Sequence, residues 1–202
     1  MNKFLGALGV AAIALTATVG AVQAAEYGPY VSGSAGYLGL ADKSVVGGTA
    51  KFDDGFVING AGGYKFPFGL RLEGELGYGR SKLNAISAGA TNTPVSGAHS
   101  DIFTVTANAF YDFKMNIGLT PYFGGGVGLA HQSNSNGVAG VTPIAGNDRD
   151  DFMFLLEAGV AFRVNDNISV VPSYRYVQVN NGSAGNADST ANIFKIGMRY
   201  GF

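Results

Sequence analysis

The segment Leu70-Arg71-Leu72-Glu73-Gly74-Glu75-Leu76-Gly77-Tyr78 alternates without a break. One set of positions reads Leu, Leu, Gly, Leu, Tyr; the other reads Arg, Glu, Glu, Gly. Successive strand residues point to opposite faces, whereas an amphipathic helix would repeat its apolar positions every three to four residues. The segment is therefore a strand with two unlike faces. The same period recurs in eight places, from Val31, Ala35 and Tyr37 in the first to Phe194, Ile196, Met198, Tyr200 and Phe202 in the last. Three connections are tight: Pro67-Phe68-Gly69, Met115-Asn116-Ile117-Gly118 and Asn165-Asp166-Asn167. Four are long and rich in Gly, Ser, Asn and Ala, at about 41–55, 79–100, 131–151 and 178–190. Short and long ends in turn make antiparallel hairpins. Eight such strands predict an all-β fold, an eight-stranded antiparallel up-and-down barrel with both termini on its short-turn side.

The chain opens on Met1-Asn2-Lys3 and an uncharged run from Phe4 to Val22, followed by small residues at Val22 and Ala24. Cationic start, apolar stretch and small-residue site predict a secretory signal peptide over 1–24, cut after Ala24, and a barrel domain over 25–202. No later run is long and apolar enough for a spanning helix. Lys and Arg number 13 against 14 Asp and Glu, too few and too balanced for a nucleic-acid partner. With no Cys, thiol chemistry and Cys-based zinc sites are excluded.

Only 13% of residues are charged while 47% are hydrophobic, about half the charge usual in soluble domains. That imbalance decides which face looks inward. The polar faces carry small or hydrogen-bonding residues such as Ser32, Ser34, Asn59, Thr104, Thr106, Asn108, Gly124, Gly126 and Gly128, which suit a narrow barrel interior. Every strand charge shares that parity: Lys65, Arg71, Glu73, Glu75, Asp112, Glu157, Arg163, Arg175, Lys195 and Arg199. Six cations and four anions are expected to neutralise one another as a lumen charge network. Phe and Tyr crowd both ends of the apolar face, as in the aromatic girdles of membrane barrels. A lipocalin-like soluble barrel, apolar inside, would leave its exterior almost uncharged.

The last strand, Lys195-Ile196-Gly197-Met198-Arg199-Tyr200-Gly201-Phe202, together with Tyr111-Asp112-Phe113, Pro121 to Gly128 and Tyr174-Arg175-Tyr176, resembles the eight-stranded outer-membrane β-barrel superfamily, in particular opacity-type surface antigens and the OmpA-type transmembrane domain. The resemblance covers 25–202. It implies a Gram-negative outer-membrane location. It also implies that Lys195, Gly197, Tyr200 and a terminal Phe202 form the signal read by the outer-membrane assembly machinery. No peptidoglycan-binding domain follows Phe202, so tethering to the wall is not expected.

Chemistry-bearing residues are few. His99 reads as a loop residue. His131-Gln132-Ser133-Asn134 resembles the His-x-Ser-Asn stretch of outer-membrane lipid A deacylases, in which His activates Ser. It lies after the fifth strand and far from downstream carboxylates, so a strand-end His is the simpler expectation. Asn147-Asp148-Arg149-Asp150-Asp151 lacks the spacing of a calcium loop and is expected to be a solvated acidic rim. Gly124-Gly125-Gly126 lacks the ending of a phosphate loop and is expected to make room for lumen neighbours such as Tyr122 or Arg175. The sequons at 167–169 and 181–183 carry little weight in a bacterial chain. The expectation is a monomeric surface protein, neither enzyme nor cofactor or metal binder. Its long loops would meet host or neighbouring cells, its rim would contact lipopolysaccharide, and side chains would plug its lumen. A small-solute or hydrophobic-molecule channel is the alternative, and a lipid A esterase a remote one.

Overall fold

The computed structural model describes residues 27–40, 43–45, 48–52, 55–88, 91–96, 99–115, 118–134, 137–139, 142–144, 148–180 and 189–202. The expected signal peptide and its cleavage site at Ala24 lie outside them, as do Asn147 and the sequon at 181–183. Eight long strands form the wall: β1 (Gly28–Leu40), β2 (Gly55–Lys65), β3 (Leu70–Ala88), β4 (His99–Asp112), β5 (Leu119–Asn134), β6 (Asp148–Arg163), β7 (Ile168–Asn180) and β8 (Ser189–Gly201). Each pairs antiparallel with its sequence neighbours, and β1 pairs with β8 to close the ring. No helix occurs among the described residues.

Register fixes the shape. Stepping across the ladder from Tyr30 leads to Gly63, Glu73, Asn108, Gly126, Leu155, Val177 and Ala191, then back to β1 at Leu40. The path returns ten residues further along the strand than it began. That stagger requires strands tilted by roughly 35–45°, and at eight strands leaves an interior that side chains can fill.

The tight turns sit where expected, and Gly69 (φ 95°) and Gly118 (φ 74°) take the left-handed conformation that glycine adopts without penalty. Asn116 and Ile117 lie outside the described residues. Asn165 Oδ1 accepts from the backbone N–H groups of Asn167 and Ile168, closing the third turn. The long connections differ from the sequence reading, because they contain strand. β3 runs on to Ala88, and short strands Lys43–Val45, Gly48–Phe52, Thr91–Ser96, Gly137–Ala139 and Thr142–Ile144 extend the pairing beyond the barrel. Backbone amides beyond the barrel still need partners, and neighbouring connections supply them.

The apolar parity faces outward: Leu76, Val127, Leu129, Leu156, Phe194 and Ile196 are each more than half exposed. Ring contacts mark both ends of this band. Phe56–Tyr78 and Tyr174–Phe194 stand toward the long connections; Tyr64–Phe66, Tyr111–Phe113 and Tyr200–Phe202 stand toward the short turns. Phe202 extends the β8 edge onto β1, its N–H donating to the Pro29 carbonyl.

Because closure satisfies the backbone internally, protein extracted from outer membranes should stay folded in SDS and shift in mobility only on boiling. Equal mobility with and without boiling would contradict a closed barrel. Changing Tyr200 and Phe202 together to Ala should leave export intact and lower the amount inserted. Normal outer-membrane levels in that variant would remove the proposed assembly signal.

Candidate functional site

Interior-facing side chains stack in three layers between the short turns and the long connections. The layer nearest the short turns is built round Arg71, which is 1% exposed. Its Nε donates to Asp112 Oδ1 (3.2 Å) and its Nη1 to Glu73 Oε2 (3.0 Å) and to the Tyr30 hydroxyl (3.1 Å), which itself donates to Glu73. Lys65 Nζ lies 3.3 Å from Asp112 Oδ2. The guanidinium also stands 4.4 Å and 4.8 Å from the ring centres of Phe110 and Tyr122, within cation–π range. Phe110, Tyr122, Ala161 and Val171 complete the layer.

The middle layer crosses the lumen. Arg175 on β7 reaches Glu75 on β3, diametrically opposite, with Nη2 donating to Oε2 at 2.8 Å. Its Nε donates to Glu157 Oε2 (2.6 Å), which also accepts from Lys195 Nζ (2.9 Å), while Tyr122 donates to Oε1 (2.7 Å). All four charged side chains are buried. Buried charges are tolerated only when paired and hydrogen-bonded, and here both carboxylates receive at least two donors. The third layer, toward the long connections, is apolar: Leu38, Val57, Ala130, Met153, Leu155, Val177, Val179 and Ile193 pack as one cluster.

Of the ten residues expected in the lumen network, Lys65, Arg71, Glu73, Glu75, Asp112, Glu157, Arg175 and Lys195 come together in these two ion-pair groups. Arg199 joins by stacking, 5.2 Å from the Tyr30 ring centre and 5.8 Å from that of Tyr122. Arg163 does not join. It has the right parity, but it ends β6 at the short-turn rim and is exposed. The apolar layer was not anticipated, because its members occupy the parity read as polar. The signal available was the loss of alternation near the long connections, as in Leu155-Leu156 and Ile193-Phe194. The glycine stretch of β5 also makes room for different neighbours than expected. A Cβ on Gly124 would strike Phe110, and one on Gly126 would strike the Asn108 amide, rather than Tyr122 or Arg175.

Beyond the girdle near the long connections, outward-facing polar residues pair across strands. Asp101 accepts from Arg80 and Tyr78, and the Arg80 hydrogen bond above all holds its carboxyl below the usual range. His131 Nδ1 lies 2.7 Å from Asp150 Oδ1, but Ser133 donates to Asp148 (2.6 Å). The Ser hydroxyl is thus engaged by a carboxylate, and the resemblance to a deacylase relay goes no further. The acidic stretch is likewise no uniformly solvated rim. Strand alternation sends Asp148 and Asp150 outward and turns Asp151 inward, where Arg149 Nε meets it at 2.7 Å. No cluster of three metal-ligating side chains occurs among the described residues.

A closed barrel, apolar outside and charged inside, with an aromatic ring at each end, is the pattern expected of a strand-built membrane protein. The sequence profile of the outer membrane protein beta-barrel domain matches residues 6–202. The chain belongs to that family. As an outer membrane beta-barrel protein it resides in the outer membrane of a Gram-negative bacterium. An uncharacterized protein of Brucella suis biovar 1 is 29% identical to it over 167 residues, 67% of this chain and 57% of that relative. The outer membrane protein PagN of Salmonella typhimurium is 31% identical over 117 residues, 49% of each. The chain spans a little over half the length of the Brucella relatives it matches. Among solved structures, Neisserial surface protein A superposes with a TM-score of 0.59 at 22% identity, covering 86% of this chain and 97% of that one. OprG of Pseudomonas aeruginosa gives 0.57 at 15%, covering 90% and 99%. Ail, the attachment invasion locus protein of Yersinia pestis, solved with the heparin analogue sucrose octasulfate, gives 0.51 at 16%, covering 87% and 99%. These likenesses are of fold.

The layers yield a stability prediction. Glu157→Gln leaves Arg175 and Lys195 short of an anion in a dry interior and should lower unfolding free energy by about 3–5 kcal/mol. Arg163→Gln, at the exposed rim, should change it by less than about 0.5 kcal/mol. Urea titration of the refolded proteins in one detergent would separate them; equal midpoints would show the Glu157 pairs to be solvent-exposed in effect.

Proposed function

We propose that this outer-membrane barrel is a non-catalytic surface protein of adhesion type, with a lumen plugged by its own side chains and loops that contact host or neighbouring cells. The observation that carries the reading is the division of labour along the barrel. The wall presents only apolar side chains to lipid between the girdles, and the interior is occupied by ion pairs below and an aliphatic cluster above. What is left for recognition is the end where paired strands run beyond the girdle and where the chain's longest connections lie. The polar residues just above the girdle, Arg80, Asp101, His131 and Asp150, stand at the depth of lipopolysaccharide headgroups, which are the lateral partner of this reading. That a fold relative has been solved with a heparin analogue supports a glycan or cell-surface ligand, and the PagN likeness supports a surface role. The protein works as a monomer in this reading, handed to the membrane by the assembly machinery through Lys195, Gly197, Tyr200 and Phe202.

Two measurements test it. Displayed on a non-adherent laboratory strain, the protein should raise attachment to cultured host cells, and shortening the connections at 89–98 and 135–147 should abolish the gain at unchanged surface abundance. Attachment that survives the shortening would defeat the adhesion reading. In planar bilayers the refolded protein should give no steady conductance; stable channels would favour the small-solute conduit instead.

A further inference from the structure

At the long-connection end the apolar outer face stops abruptly. Just beyond its aromatic ring, outward positions hold Arg80, Asp101, Asp148 and Asp150, each bonded to a polar side chain of the neighbouring strand. At the short-turn end the apolar face instead continues past the girdle. Outward rows spaced two residues apart run off the strands and onto the turns: Tyr64, Phe66 and Phe68; Tyr111, Phe113 and Met115; Phe162 and Val164. Ring contacts make the first row continuous, at 4.9 Å between centroids for Tyr64–Phe66 and 5.6 Å for Phe66–Phe68. At the tips Phe68 is 63% exposed, Met115 50% and Val164 64%. Turns that stand in water are built mainly from Gly, Pro, Asn, Asp and Ser. An exposed apolar residue standing singly is ordinary. One on each of the three short turns, continuing the row that faces lipid, is an extension of the lipid-facing band.

A cation interrupts two of these rows. Lys114 separates Phe113 from Met115, and Arg163 separates Phe162 from Val164. Lys114 Nζ donates to the Tyr27 hydroxyl and to the Pro67 carbonyl (2.7 Å), tying the second short turn to the first. The Arg163 guanidinium is exposed and has no hydrogen-bond or ion-pair partner among the described residues. A long cationic side chain can lay its stem along apolar surface while its head stays among polar groups, and the guanidinium fork matches phosphate oxygens. We propose that the short turns are seated in the periplasmic leaflet itself. Phe68, Met115 and Val164 enter the boundary between headgroups and acyl chains, and Arg163 donates to the phosphodiester oxygens of a glycerophospholipid. The partner of this surface is therefore lipid and not a periplasmic protein. Its seating sets how deep the barrel sits, with the polar positions around Arg80 and Asp150 marking the opposite limit. The inference rests on the membrane barrel and does not depend on the adhesion reading.

The chain contains no Trp, so a single introduced indole reports only its own surroundings. Phe68→Trp and Val164→Trp, folded separately into phosphatidylcholine vesicles, test the seating. Lipid brominated on the acyl carbons nearest the headgroup should at least halve the emission, and aqueous iodide should leave it nearly unchanged. Strong quenching by iodide with none by the brominated lipid would overturn the proposal. Met115→Trp takes the place of either variant that fails to fold. The headgroup contact has a separate readout. Arg163→Gln should lower the urea midpoint in the vesicles and leave it unchanged in a maltoside detergent, which offers no phosphate. An equal loss in both media, or none in the vesicles, would overturn the phosphate contact.

Discussion

An amide or carbonyl left without a partner in hydrocarbon costs several kcal/mol, so a strand-built membrane protein has to close its ladder or fail. Here closure is made by the eleven residue pairs between β1 and β8, from Tyr30–Gly201 to Leu40–Ala191. The ten-residue stagger that accompanies it sets the tilt of every strand and therefore the width of the lumen. That width places β3 and β7 within reach of one another, so that Glu75 and Arg175 meet across the axis. It also leaves no room for a side chain at several interior positions. A Cβ at Gly63 would meet the Tyr30 hydroxyl, and one at Gly126 would meet Asn108. Glycine on the inner wall is thus a consequence of closure.

Inside this wall the usual order of a soluble protein is inverted. Apolar surface is left outside for lipid, and charge is taken into the centre, where water is scarce and each ion has to find its counterion in the chain. The cost of removing charges from water is offset only by pairing of good geometry, and the two clusters around Arg71 and Arg175 supply it with carboxylates that accept two or more donors. The aliphatic cluster above, which includes Leu155 and Ile193, shields the pairs from solvent on the side of the long connections. Aromatic rings do the same below, where Phe110, Tyr122 and Tyr30 surround the guanidinium of Arg71. The electrostatic and hydrophobic parts of the interior therefore support each other: dry walls strengthen the ion pairs, and the pairs allow charge to sit within dry walls.

Much of this was legible along the chain because a strand has a period of two. Parity alone separates Leu72 and Leu76 from Glu73 and Glu75, and the shortage of charge says that the charged parity faces inward. Parity carries no depth, however. Arg163 and Arg199 share it equally, yet Arg163 ends its strand at the open rim while Arg199 lies between two buried rings. The difference comes from register against neighbouring strands, a long-range quantity that no local pattern contains. Nor does parity tell which partner meets which: Arg175 could have paired with any carboxylate of its face, and only the stagger brings Glu75 from the opposite wall.

The sequence by itself determined eight two-faced strands, the alternation of short and long connections, the lipid-facing side and the family. These follow from local spacing and composition, and from an apolar surface that must go somewhere. The tertiary structure decided the layering of the lumen, the exclusion of Arg163, the strand content of the connections and the stacking of Arg199 on the Tyr30 and Tyr122 rings. Each depends on how far one strand slides along the next, and that is fixed only when the ring closes and every backbone group has found its partner.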